Sequence, residues 1–167
     1  MRNKIALIII LLFVLAIQDT WVPFCEIRGV MPCLPLIYVV FIALFKGERY
    51  GLCFGAITGL LMDLLAGKYL GLNFLTVALA GFLVGRIMKN FYKANIFIPM
   101  GSVALACVIY YPCYLFLGVL AGTGVPFWRN IISYVPFAAV YNTLLGMIFY
   151  VLTYLIFERI LKKNFFD

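Results

Sequence analysis

Long apolar stretches alternate with short clusters of charged and turn-forming residues along the whole chain, so the hydrophobic pattern cuts it into six segments. These lie at about 5–24, 30–45, 50–66, 69–88, 96–120 and 131–157. A helix rising 1.5 Å per residue needs roughly 20 mainly apolar residues to cross a hydrocarbon core about 30 Å thick. The pattern therefore predicts an all-α membrane protein with six transmembrane helices forming one integral domain over residues 1–167. The second segment is short for this task and needs help from flanking residues, local thinning of the bilayer or its neighbours.

Charge placement orients the bundle. With the N-terminus inside, the cytoplasmic side receives Arg2, Lys4, Lys46, Arg49, Arg86, Lys89, Lys93, Arg159, Lys162 and Lys163. Arg28, Lys68 and Arg129 fall outside. Basic residues in short loops resist translocation, so both termini are expected in the cytoplasm. The basic N-terminus and apolar run also look like a signal peptide, but no small-x-small cleavage site follows. Trp21 and Phe24 instead read as an interfacial anchor closing a true span.

Composition narrows the function. Apolar residues make up 66% and charged residues 11%, with mean hydropathy +1.13, far from a water-soluble domain. The net charge of +7 is scattered over segment ends and forms no basic face for nucleic acid. There is no histidine, which removes most zinc, haem and Ser-His or Cys-His chemistry. No phosphate-binding loop is present either. The longest connection, about 121–130, is too short for a soluble domain. Neither a catalytic residue nor a cofactor or metal site is expected, and any function must be carried by helices, turns or a partner.

Of the five cysteines, Cys53, Cys107 and Cys113 read as small packing residues. Cys25 and Cys33 flank the first outer turn, where a disulfide is permitted but not required by spacing or count. Gln18 and Asp19 are expected to tie the outer end of the first span, and Asn142 with Thr143 to hydrogen-bond between helices. Pro112 and Pro136 should bend the fifth and sixth spans. The stretch 86–95, with Arg86, Lys89 and Lys93, reads as a turn attracted to anionic headgroups.

The most informative stretch is Gly47, Gly51, Gly55, Gly59, Asp63, Gly67 and Gly71, all at intervals of four, followed by Asn73. Residues four apart share one side of a helix, and small ones let a second backbone approach closely. Gly81 and Gly85 repeat the device on the fourth span. The strip either packs the bundle internally or docks another membrane protein. A carboxylate at a span's centre costs roughly 2.5 to 3.5 kcal/mol, and the neighbouring leucines, Ile57 and Phe54 return roughly 2 to 4 kcal/mol in all. The third span is thus marginal alone, and Asp63 should turn toward protein, with Lys68 or Asn73 as partners. Capping the outer turn, binding a partner and moving a proton are the three readings of Asp63.

Pro23, Pro32 with Leu34, and above all Gly51-x3-Gly55-x3-Gly59-Leu60-Leu61-x-Asp63-x3-Gly67-x3-Gly71-x-Asn73 together resemble the MreD family of bacterial rod shape-determining proteins. Length, six spans and the near-absence of loops agree with it. One departure is visible: the family commonly has Pro-Asp-Leu opening the second span, where this chain has Pro32-Cys33-Leu34.

The resemblance implies a non-enzymatic subunit of the cell-elongation machinery that builds the peptidoglycan cell wall. It further implies pairing with MreC, a single-span protein with an extracytoplasmic coiled coil, and links to peptidoglycan synthases and the MreB filament. Pro32 and the glycine-to-Asn73 motif would then pack helices or bind the partner. The runner-up is a substrate-capture S component of an energy-coupling-factor vitamin transporter, a six-helix fold that MreD resembles. Its Ala-x3-Ala docking pair is missing, since the first span has only Ala6 and Ala16, and polar groups for an outward pocket are few.

Overall fold

The computed structural model describes residues 2–27, 29–67, 69–88, 98–124 and 126–160. Six helices follow in order: α1 (Arg2–Thr20), α2 (Leu34–Lys46), α3 (Glu48–Ala66), α4 (Leu72–Met88), α5 (Ile98–Leu120) and α6 (Phe127–Ile160). A short 3-10 turn, Val22–Cys25, lies between α1 and α2. Among the described residues three helices are long and apolar enough to cross a membrane: α3, α5 and the Phe127–Val151 part of α6. The apolar stretches Leu7–Thr20, Leu34–Lys46 and Leu72–Met88 are shorter.

Several boundaries move from their expected places, each for a local reason. Trp21 still donates to the Ile17 carbonyl at 2.9 Å, but Pro23 has no N–H and the chain tightens into the 3-10 turn, so α1 stops short of Phe24. Val30 pairs with Ile27 in the connection after the 3-10 turn, and α2 begins only at Leu34, with Pro35 in its first turn, where a missing N–H costs nothing. At the other end α6 starts four residues before position 131, because the Pro126 carbonyl accepts from Asn130 at 3.2 Å.

The short second helix is the centre of the molecule. Its 13 residues reach only about 20 Å. Ten of them are buried, with Leu36, Val39, Val40 and Ala43 fully enclosed. A helix that is apolar all round belongs inside protein. Helices α1, α3, α4, α5 and α6 all pack against it, so α2 does not need the length that a lipid-facing span needs. Outward faces carry the reverse pattern from a soluble protein: Leu52, Ile57, Leu60, Leu64 and Leu65 on α3 are exposed while its glycines are buried.

Gly47 alone joins α2 to α3, at φ +89° and ψ −179°. That backbone region is open in practice only to glycine, and it turns the chain back within one residue. At this end Lys46 lies over the Tyr50 ring at 5.9 Å and Arg86 over Phe82 at 6.0 Å, each cation in the last turn of its helix, where the dipole favours it.

Pro112 and Pro136 lie inside continuous helices. The cysteines are free: Cys25 is exposed and Cys33 buried, with no bridge between them. The basic turn around Lys89 and Lys93, and the charges Arg28, Lys68, Lys162 and Lys163, lie outside the described residues.

Candidate functional site

Two of the helices, α2 and α4, begin inside the protein, where their first N–H groups cannot reach water. An unpaired N–H there costs about as much as a lost hydrogen bond, so each needs an acceptor from elsewhere in the chain. Asp63 at one of these points, and Gln18 and Asn142 at the other, supply the acceptors.

Asp63, on the last turns of α3, serves α4. It is 1% exposed. Its Oδ2 accepts from the Gly71 N–H at 2.8 Å and the Phe74 N–H at 3.0 Å. Its Oδ1 accepts from the Asn73 N–H and the Asn73 side-chain amide, both at 3.0 Å. Four donors occupy the roughly four lone-pair sites of a carboxylate, and the negative charge sits where the helix dipole is positive. An acceptor filled in this way is a helix cap, and it holds no spare site for a substrate. Asn73 in turn takes a hydrogen bond at 2.6 Å from the hydroxyl of Tyr110 on α5.

A second set of side chains serves α2. Asn142 of α6 accepts from the Cys33 N–H at 2.7 Å and donates to the Tyr111 hydroxyl at 3.0 Å and the Ala138 carbonyl at 2.8 Å. Gln18 of α1 accepts from the Leu34 N–H at 2.9 Å and donates to the Pro32 carbonyl at 3.0 Å. Pro32 is buried beneath this clasp. Tyr110 and Tyr111, edge to face at 5.0 Å between centroids, stand between the two sets. Asp19 is exposed, and the Thr143 hydroxyl is buried with no partner, so neither joins its neighbour's network. Lys68, the other expected partner of Asp63, lies outside the described residues.

The glycine ladder divides into two kinds of position. A methyl group on Gly51 would run into the Gly81 carbonyl oxygen, and one on Gly59 into that of Asn73. On Gly55 it would lie 2.7 Å from the Val77 carbonyl oxygen. Gly81 meets the Gly51 carbonyl in return, and Gly85 packs at 2.7 Å on Glu48 Cα. The strip of α3 and the small residues of α4 thus close on each other, backbone to backbone. Of the two readings of the strip, this is the internal packing one: the surface is taken up within the chain. Gly67 and Gly71 do something else: no atom lies within 4 Å of an added Cβ at either, but φ is +65° and +103°. They bend the turn that lets Asp63 reach back to α4.

Tyr110 and Tyr111 escaped the sequence reading, although two adjacent tyrosines in an apolar span are a signal, because a buried hydroxyl looks for a partner. Among the described residues, no group of three or more Cys, Asp or Glu is placed to hold a metal ion.

A cavity of about 180 Å³ opens beside Asp63, between the α3–α4 turn and the C-terminal end of α5. It is lined by Asp63, Ala66, Tyr69, Leu72, Asn73, Tyr114, Leu115, Gly118 and Thr123.

A family model described as rod shape-determining protein MreD covers residues 1–163. No curated protein and no solved structure matches.

Proposed function

Because the chain belongs to the MreD family of rod shape-determining proteins, we propose that it is a scaffold subunit of the machinery that elongates a rod-shaped cell, with no catalytic residue of its own. Family membership over residues 1–163 carries this reading. The role in shape determination goes with the family. The finer assignments are ours: six spans in the bacterial inner membrane, both termini cytoplasmic, in an arrangement like that of S components. The partner is the single membrane helix and outer segment of an MreC-like coiled-coil protein, and through it peptidoglycan synthases and the MreB filament.

The internal organisation supports a scaffold. The polar side chains at the candidate site are spent on capping helices and joining them, so the bundle presents mostly apolar outer faces held in fixed positions. With the glycine strip of α3 occupied by α4, a partner helix must lie on one of those outer faces. Among the described residues the transporter-subunit alternative gains no support from the cavity beside Asp63, whose volume of about 180 Å³ falls below the ~300 Å³ at which pockets for drug-sized ligands begin.

Co-expression with an MreC-like protein and purification through a tag on that partner tests the proposal. Stoichiometric recovery of this chain in detergent is the expected result. Recovery at the level of an unrelated six-helix protein would refute it.

A further inference from the structure

We propose that Arg49 and Arg86 bind the headgroup of one phospholipid molecule that carries a phosphate diester and no compensating cation. The two arginines belong to different helices, and backbone packing brings them together. A Cβ added to Gly85 would lie 2.7 Å from the Cα of Glu48, so α4 ends against the start of α3. Arg86 follows Gly85 and Arg49 follows Glu48, so each stands one residue from that contact, and both are exposed.

They also share a side of the helix pair. Thr58 of α3 and Val84 of α4 are fully buried. At 100° per residue, Arg49 points about 180° away from the first and Arg86 about 160° away from the second, so both face out from the bundle. Below each runs an apolar stripe. Cys53, Leu60 and Leu64 continue from Arg49, and Phe82, Leu79 and Leu75 from Arg86; Phe82 is half-buried and the others are exposed. The helices run antiparallel, with Gly51 against Gly81 and Gly59 against Asn73, so the stripes lie side by side. They extend about 22 Å and about 16 Å, each enough for the ~15 Å depth of one leaflet.

This pairing of cation and stripe selects the occupant. A guanidinium fork matches phosphate oxygens, and the Phe82 ring, 6.0 Å from the Arg86 guanidinium, holds that fork in place. A soluble anion or an acidic protein segment would use the arginines and leave the stripes bare, whereas a phospholipid also lays its chains on the leucines. Glu48 sits at the contact itself and sets its one negative charge against the two positive ones, which favours a headgroup of single charge over a dianionic monoester.

The test uses native mass spectrometry of the full chain in detergent, titrated with dioleoylphosphatidylglycerol and, as reference, dioleoylphosphatidylcholine. The first should saturate at one lipid per chain and bind about fivefold more tightly than the second. Arg49→Gln and Arg86→Gln should each remove that preference without changing the melting temperature. Lys46→Gln should keep it, because Lys46 is held over Tyr50, about 100° round α3 from Arg49. Glycerophosphoglycerol, the same headgroup without chains, should not compete. Competition by it would overturn the proposal in favour of a soluble anion. A preference that survives both arginine variants, or falls as far in Lys46→Gln, would reduce it to diffuse attraction. Equal binding of the two lipids would refute it and leave the arginines to an acidic protein segment.

Discussion

Asp63 shows how one side chain can make a turn possible. The carboxylate stands in for a missing turn of helix, taking the first N–H groups of α4 into its own coordination sphere. In Asp63→Asn one oxygen becomes an NH2 group facing N–H donors, so at least one buried donor loses its acceptor. We expect a loss of about 2 to 3 kcal/mol in reversible unfolding in mixed micelles, from the range for hydrogen bonds to charged groups. Tyr110→Phe removes a single bond between helices and should cost about 0.6 kcal/mol. Asn142→Leu leaves the Cys33 N–H without an acceptor and should cost more than Tyr110→Phe. Equal effects for the last two would mean that water replaces Asn142. Asp63 stood out in the sequence because a carboxylate in an apolar stretch needs a reason. Its Asn73 neighbour was legible too, ten residues on. Tyr110 was not, because the contact spans 37 residues and nothing in the local pattern encodes it.

At the scale of elements, the glycines of α3 divide by neighbour and not by spacing. Gly59→Leu should separate α3 from α4 and abolish recovery of monodisperse protein, since its Cβ meets backbone, which cannot move aside. Gly101→Ala on α5, where no atom lies within 4 Å, should leave yield and melting temperature unchanged or slightly raised, given alanine's better helix propensity. Gly67→Ala should fall between them, through its positive φ alone. The four-residue interval was visible in the sequence, but it could not separate a packing glycine from a turning one. That distinction depends on what lies opposite. Helix ends were similarly elusive: the apolar runs extend to Phe24 and back to Val30, whereas proline geometry ends α1 earlier and the Ile27–Val30 pairing makes α2 begin later.

For the whole molecule, the number of helices followed from hydropathy, while their roles did not. A short apolar segment reads the same whether it faces lipid or is wrapped by five neighbours, as α2 is. The orientation assigned by the basic residues is open to direct measurement. Cys25 is exposed in the turn after α1, and Arg86 is exposed near the end of α4, with three helices between them. A variant retaining Cys25 alone should react with a membrane-impermeant maleimide on intact cells. Arg86→Cys in a cysteine-free background should react only after permeabilisation. Labelling of both from one side would refute the proposed alternation.

The adjacent pair Tyr110 and Tyr111 constrains how this protein can pass on a movement. Consecutive residues point about 100° apart around a helix, and here one reaches Asn73 on α4 and the other Asn142 on α6. Fastened in two directions at one level, α5 cannot swivel without breaking both bonds. A rotation of α5 alone therefore gives up both bonds, whereas a tilt or shift that carries α4, α5 and α6 together keeps them.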